Sequence, residues 1–129
     1  MAKGESKITI DQPADKVWAV VADFGGLATW APGIESCEVE GDTRKLAMMG
    51  MEISEQLLSK DDAARSLSYA VVSGVPLDKH RATITVQPEG DKSHVTYAYE
   101  VEPDSMGEMM GGAYQSSLEA LKAHVEQNA

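Results

Sequence analysis

Apolar residues along the chain keep two different periods, helical at both ends and alternating between them. Ile8–Ile10 reads as a short strand cut off by Asp11 and Pro13. Pro13 suits the first turn of a helix, where its missing N–H would have no partner in any case. Val17, Val21 and Phe24 then recur at i, i+4 and i+7, with Trp18 beside them. Gly25-Gly26 closes this helix, and Leu27–Trp30 makes a second short turn, stopped by Pro32-Gly33.

From residue 34 the period becomes two, and strands are expected at 34–40, 44–49, 52–59, 65–73, 80–87 and 93–101. Gly41-Asp42, Gly50, Asp61-Asp62, Gly74-Val75-Pro76 and Glu89-Gly90-Asp91 separate them. Connections this short imply antiparallel hairpins.

The last segment is helical. Ser105 and Glu108 have the spacing of a capping box, and Asp104 and Glu108 both favour the positive end of a helix. Met106, Met109, Met110, Ala113, Tyr114, Ser117, Leu118, Leu121 and Val125 form one face of a helix about twenty residues long. Seven strands and one long amphipathic helix give an α+β class, a curved antiparallel sheet wrapped around the C-terminal helix, with two short helices after strand 1.

The alternation also phases the charges. Leu46 and Met48 share a strand face that includes Arg44, and Ile53 and Leu57 share one that includes Glu55. Leu67, Tyr69 and Val71 point together, as do Ala82, Ile84 and Val86, and Val95, Tyr97, Tyr99 and Val101. Two opposite charges therefore lie on the concave, apolar side of neighbouring strands. An isolated buried charge costs several kcal/mol, so Arg44 and Glu55 are expected to pair or to face a wet cavity. Two readings stand: a structural ion pair, or one of the two turned outward by a bulge; and a carboxylate held by a guanidinium inside a pocket, for proton transfer or polar anchoring.

The chain has seven methionines against one phenylalanine. Six of them fall at residues 48–51 and 106–110, which the phasing sets across a cleft between sheet and helix. Gly107, Gly111 and Gly112 weaken the first turns of that helix, by ~1 kcal/mol each relative to alanine. Met48, Met106, Met109 and Met110 are thus either pliable core filler or the wall of an adaptable apolar cavity. His80 falls on the inward phase beside the 74–79 turn, as a hydrogen-bonded rim residue or an acid/base. Cys37 reads as a small strand hydrophobe.

Composition removes other classes. The 129 residues are about one domain, 1–129, and the net charge of −10 comes from 21 acids and 11 bases spread evenly along the chain. A nucleic-acid partner is not expected without a basic footprint. The longest apolar run, Val17–Ala22, is far short of the roughly 18 residues of a membrane span. No signal-peptide pattern is visible and the one cysteine cannot form an internal disulfide, which together read as a soluble, cytoplasmic protein. No histidine or cysteine spacing suits a metal, and no glycine-rich phosphate loop or nucleophile elbow occurs, so no metal and no cofactor are expected.

Pro13-Ala-Asp-Lys-Val-Trp18, Asp23-Phe-Gly-Gly-Leu-Ala-Thr-Trp30-Ala-Pro-Gly, Ile34-Glu-Ser-Cys-Glu38, Ser68-Tyr69, Arg81-Ala-Thr-Ile-Thr-Val86 and the C-terminal helix carry a family likeness. Over nearly its whole length the chain resembles the START/Bet v 1-like (SRPBCC) superfamily, in the polyketide cyclase/dehydrase branch. The resemblance implies a helix-grip fold with an internal cavity for a small hydrophobic molecule. The chain is also similar to the lachrymatory-factor synthase group, where catalysis is attributed to an arginine on the third strand and a glutamate on the fourth. Thr43-Arg44-Lys45 and Glu55-Gln56-Leu57-Leu58 match those places in position and residue type. His80 departs from the aromatic residue usual in relatives, and the methionines replace branched aliphatics.

Two functions follow as expectations. One is a cofactor-free isomerase, cyclase or lyase with Glu55 as general acid/base and Arg44 orienting it or stabilising negative charge. The other is a carrier or sensor of a hydrophobic molecule. In both, Trp30, Met48, Tyr69, His80, Tyr97, Tyr99, Met106, Met109, Met110 and Tyr114 are the expected ligand contacts, with 31–33 and 73–77 as lid loops. A chain whose cavity is filled by its own side chains, acting through its surface, is the third possibility. A monomer or weak homodimer is expected, since only an edge strand is left to pair.

Overall fold

The computed structural model describes residues 2–127. Strand β1 (Ala2–Ile10) leads through Pro13 into helix α1 (Ala14–Ala22) and a 3-10 turn (Phe24–Thr29). Six strands follow: β2 (Ser36–Glu40), β3 (Thr43–Met48), β4 (Met51–Asp61), β5 (Ser66–Ser73), β6 (Lys79–Glu89) and β7 (Lys92–Glu102). A 3-10 turn (Asp104–Met106) then opens helix α2 (Gly107–Gln127). The sheet is antiparallel in the order β1-β7-β6-β5-β4-β3-β2, and α2 lies against its concave face, chiefly over β1 and β7. This is the α+β helix-grip arrangement expected, and β2–β7 end within two residues of their expected bounds.

Three local expectations need correction. β1 starts at Ala2, not Ile8, and pairs with β7 along its whole length. Its inward positions are Ala2, Gly4 and Ser6 before Ile8 and Ile10, so small residues hide the alternation. Phe24 belongs to the 3-10 turn rather than to α1. Ser105 does not precede α2 as a cap but lies inside the 104–106 turn, which Pro103 enters without a side-chain cap.

The outward bulge foreseen for Arg44 or Glu55 falls elsewhere. The β4–β5 register shifts between Ser54 and Glu55 and again between Leu57 and Ser59. The residues skipped are Val72 and Leu58, and both are exposed. Such bulges bend the strands and strengthen the twist, so the sheet curls while Glu55 keeps its inward phase.

The core joins α1, α2 and β5–β7. Tyr114, Leu118, Leu121 and Val125 of α2 bury one stripe against Leu67, Ile84, Val86 and Val95 of the sheet. Leu46 and Ile53 are equally buried but stand apart from that cluster. Among the described residues no helix is long and apolar enough to cross a membrane.

Candidate active site

Helix α2 covers one side of the sheet, while the 3-10 turn after α1 covers the β2 side. Between them lies a cavity of about 200 Å³. Its sheet wall is Leu46, Met48, Ile53, Glu55, Tyr69 and Tyr97; its outer wall runs from Trp30 to Ile34; its helix wall is Ala113, Tyr114, Ser116 and Ser117. The space exists because α2 places small residues at 113, 116 and 117, where leucine-sized side chains would fill it.

Arg44 and Glu55 face each other across β3 and β4 and are both buried, at 4% and 8% exposure. Arg44 Nε and Nη2 donate to the same oxygen, Glu55 Oε1, at 2.8 and 2.7 Å. Nη1 donates to the Phe24 carbonyl at 3.0 Å, so the 3-10 turn is tied to the ion pair. The guanidinium carbon also lies 4.1 Å from the Phe24 ring centroid and 4.9 Å from that of Tyr69, both favourable for a cation. Glu55 also lines the cavity.

Burial pushes the Glu55 carboxyl above its ordinary range, and the nearby guanidinium offsets only part of that rise. A carboxyl poised this way serves as a proton donor or acceptor. Burial also raises Tyr69, Tyr97 and Tyr114, which therefore remain neutral hydroxyls. Tyr69 and Tyr97 share a hydrogen bond through their hydroxyls, and Tyr97 and Tyr114 stack with ring centroids 4.1 Å apart.

The structure thus gathers Arg44, Glu55, Trp30, Met48, Tyr69, Tyr97 and Tyr114 at one place. It places the other expected contacts elsewhere. His80 stands behind Tyr114, and Tyr99 is wedged between Gly4 and Gly111, beside Tyr114 but off the wall. Met110 packs on the core, Met106 ends the 3-10 turn, and Met109 is 56% exposed. The methionine cleft is not formed, because Met49 and Gly50 make a hairpin turn with positive φ that carries Met49 into solvent. Gly107 and Gly111 are also not simply weak points: an added Cβ would meet Ala2 at 2.7 Å and the Tyr99 hydroxyl at 2.6 Å. Ser116 and Ser117, the polar groups of the helix wall, were not foreseen as ligand contacts; small residues beside Tyr114 were the available signal.

No group of three or more His, Cys, Asp or Glu side chains among the described residues could hold a metal ion.

The sequence matches the family described as polyketide cyclase/dehydrase and lipid transport over residues 1–126. No curated protein matches it. Among solved structures it is similar to the protein XoxI from Bacillus cereus, at 26% identity and a TM-score of 0.91, over 100% of this chain and 99% of that one. It is similar to the di-domain ARO/CYC protein BexL at 21% identity and TM-score 0.85, covering 98% of this chain and 47% of that one. Norcoclaurine synthase of Thalictrum flavum superposes with TM-score 0.74 at 18% identity, over 98% and 95% of the two chains. The last two likenesses are of fold.

Proposed function

We propose, for a chain that belongs to the polyketide cyclase/dehydrase and lipid transport family, that the cavity binds a small hydrophobic molecule and that Glu55 acts on it as a general acid/base without a cofactor. The observation that carries this reading is the Glu55 carboxyl on an apolar wall, raised by burial, with two guanidinium nitrogens on its Oε1. Arg44 fixes the carboxylate and supplies positive charge beside the site. Isomerisation, cyclisation or elimination each need a proton moved at one carbon or oxygen, and a single carboxyl can both take and return it. The match of Arg44 and Glu55 to the lachrymatory-factor synthase pattern agrees with this assignment.

The cavity lies below the roughly 300–1,000 Å³ of drug-sized ligand sites, so its occupant is a one- or two-ring compound or a short chain. The lipid-transport half of the family description favours a second reading, a carrier whose Glu55–Arg44 pair only anchors a polar end.

One experiment separates the two. Native mass spectrometry of the purified protein identifies a retained or added apolar compound, and wild type and Glu55→Gln are then compared for its binding and its conversion. The enzyme reading expects conversion to fall by about 10²–10⁴-fold with affinity nearly unchanged. Equal loss of both, or no conversion by wild type, selects the carrier, and no bound compound at all rejects both.

A further inference from the structure

Strands β5 and β6 pair only from Ser66 to Tyr69 and then separate. In the gap beyond, the Val71 backbone N–H donates at 3.0 Å to Nδ1 of His80, a side chain of the opposite strand. The other ring nitrogen, Nε2, bonds the Tyr114 hydroxyl. The Tyr69 and Tyr97 hydroxyls bond each other, and Tyr69, Tyr97 and Tyr114 all stand on the cavity wall.

A backbone N–H can only donate, so Nδ1 must accept and must carry no hydrogen. Burial lowers the imidazole pKa to about 4, so the ring is neutral and its one hydrogen is on Nε2. Nε2 therefore donates to Tyr114. The Tyr114 hydroxyl receives that hydrogen and keeps its own. Tyr114 lines the cavity, so a ligand there can accept that hydroxyl hydrogen. With the opposite tautomer, Tyr114 would donate to the ring and would present the ligand with lone pairs alone.

We propose that His80 is a positioning residue: the Val71 amide fixes its tautomer, and His80 thereby directs the Tyr114 hydroxyl so that it offers its hydrogen to the ligand. The site accordingly selects compounds with an acceptor oxygen, such as a ketone, over hydrocarbons of the same shape. The imidazole N–H polarises the hydroxyl that accepts it, which strengthens that hydroxyl as a donor. The proposal rests on the cavity being a ligand site, and it says nothing of whether the ligand reacts.

The test uses two probes of nearly equal shape, acetophenone and α-methylstyrene, with binding read by isothermal titration of the intact protein. Wild type is expected to prefer the ketone by about fivefold or more, the worth of one hydrogen bond. Tyr114→Phe, which keeps the ring and removes that hydroxyl, is expected to lose most of that preference while still binding the hydrocarbon. Long-range proton–nitrogen NMR on histidine-labelled wild type is expected to show the His80 hydrogen on Nε2. A hydrogen on Nδ1, or a ketone preference that Tyr114→Phe leaves intact, overturns the proposal while the cavity stands. Failure of both probes to bind overturns it together with the ligand-site reading. No His80 variant is required, because removing the ring would leave the Val71 amide without its acceptor.

Discussion

Arg44 and Glu55 occupy directly opposed positions of the β3–β4 ladder, and two guanidinium nitrogens converge on a single carboxylate oxygen. A charge left alone in this position is buried without its partner. Arg44→Met should therefore destabilise the fold by about 3–5 kcal/mol, and adding Glu55→Leu should recover most of that loss. Urea unfolding of the single and double variants decides it; an undiminished loss in the double variant would mean that the bond to the Phe24 carbonyl, not the stranded carboxylate, dominates.

His80 and Glu55 bend the pH dependence of stability in opposite senses. Between pH 6.5 and about 4 the unfolded chain protonates His80 while the folded chain does not, so its contribution is complete above pH 6.5 and declines as pH falls toward 4. The size is roughly 2 kcal/mol once partial screening of the ring is allowed for. Glu55, raised in the fold, holds its proton longer than the unfolded chain does, so stability falls as pH rises from the ordinary carboxyl range through its folded value. Thermal melts from pH 4 to 8 should show that Glu55→Gln removes the second slope and leaves the first.

Two adjacent helical glycines should respond oppositely to alanine. At Gly111 the new methyl would lie 2.6 Å from the Tyr99 hydroxyl, whereas at Gly112 it would meet nothing within 4 Å. Gly112→Ala should stabilise by up to ~1 kcal/mol through helix propensity. Gly111→Ala should destabilise by about 1–3 kcal/mol through the clash. Melting temperatures that rise for both would show that Tyr99 swings aside freely.

Trp30 is 8% exposed and forms part of the outer wall of the cavity. Trp30→Ala should enlarge it enough to admit an anilinonaphthalene dye that wild type excludes, at about 3–5 kcal/mol of stability. Dye fluorescence checks the first effect and denaturant titration the second; collapse of the wall would show as lost stability without dye binding.

Strand phase was enough to bring Arg44 and Glu55 face to face, because a period of two admits only two faces and the aliphatic neighbours mark the inner one. It could not reach what depends on spacing between elements. The extent of β1 was hidden by Ala2, Gly4 and Ser6, which are inward because α2 approaches closely, not because they are apolar. Phase alone puts the methionines in one lining, yet the Met49-Gly50 turn and the exposed side of α2 separate them. His80 was legible as inward, but its bond to the Val71 amide depends on β5 and β6 parting after Tyr69, which no alternation pattern encodes.

The isolation of Leu46 and Ile53 from the main cluster has a dynamic consequence. With the cavity between them and α2, the β3–β4 hairpin is fastened inward more by polar bonds and ring contacts of Arg44 than by apolar packing. Opening that corner uncovers Leu46 and Ile53 but leaves the main cluster closed, so β3 amides should exchange with solvent well before those of β6 and β7. The fold then needs no separate gate: the end of the sheet that carries the ion pair is itself the part that breathes.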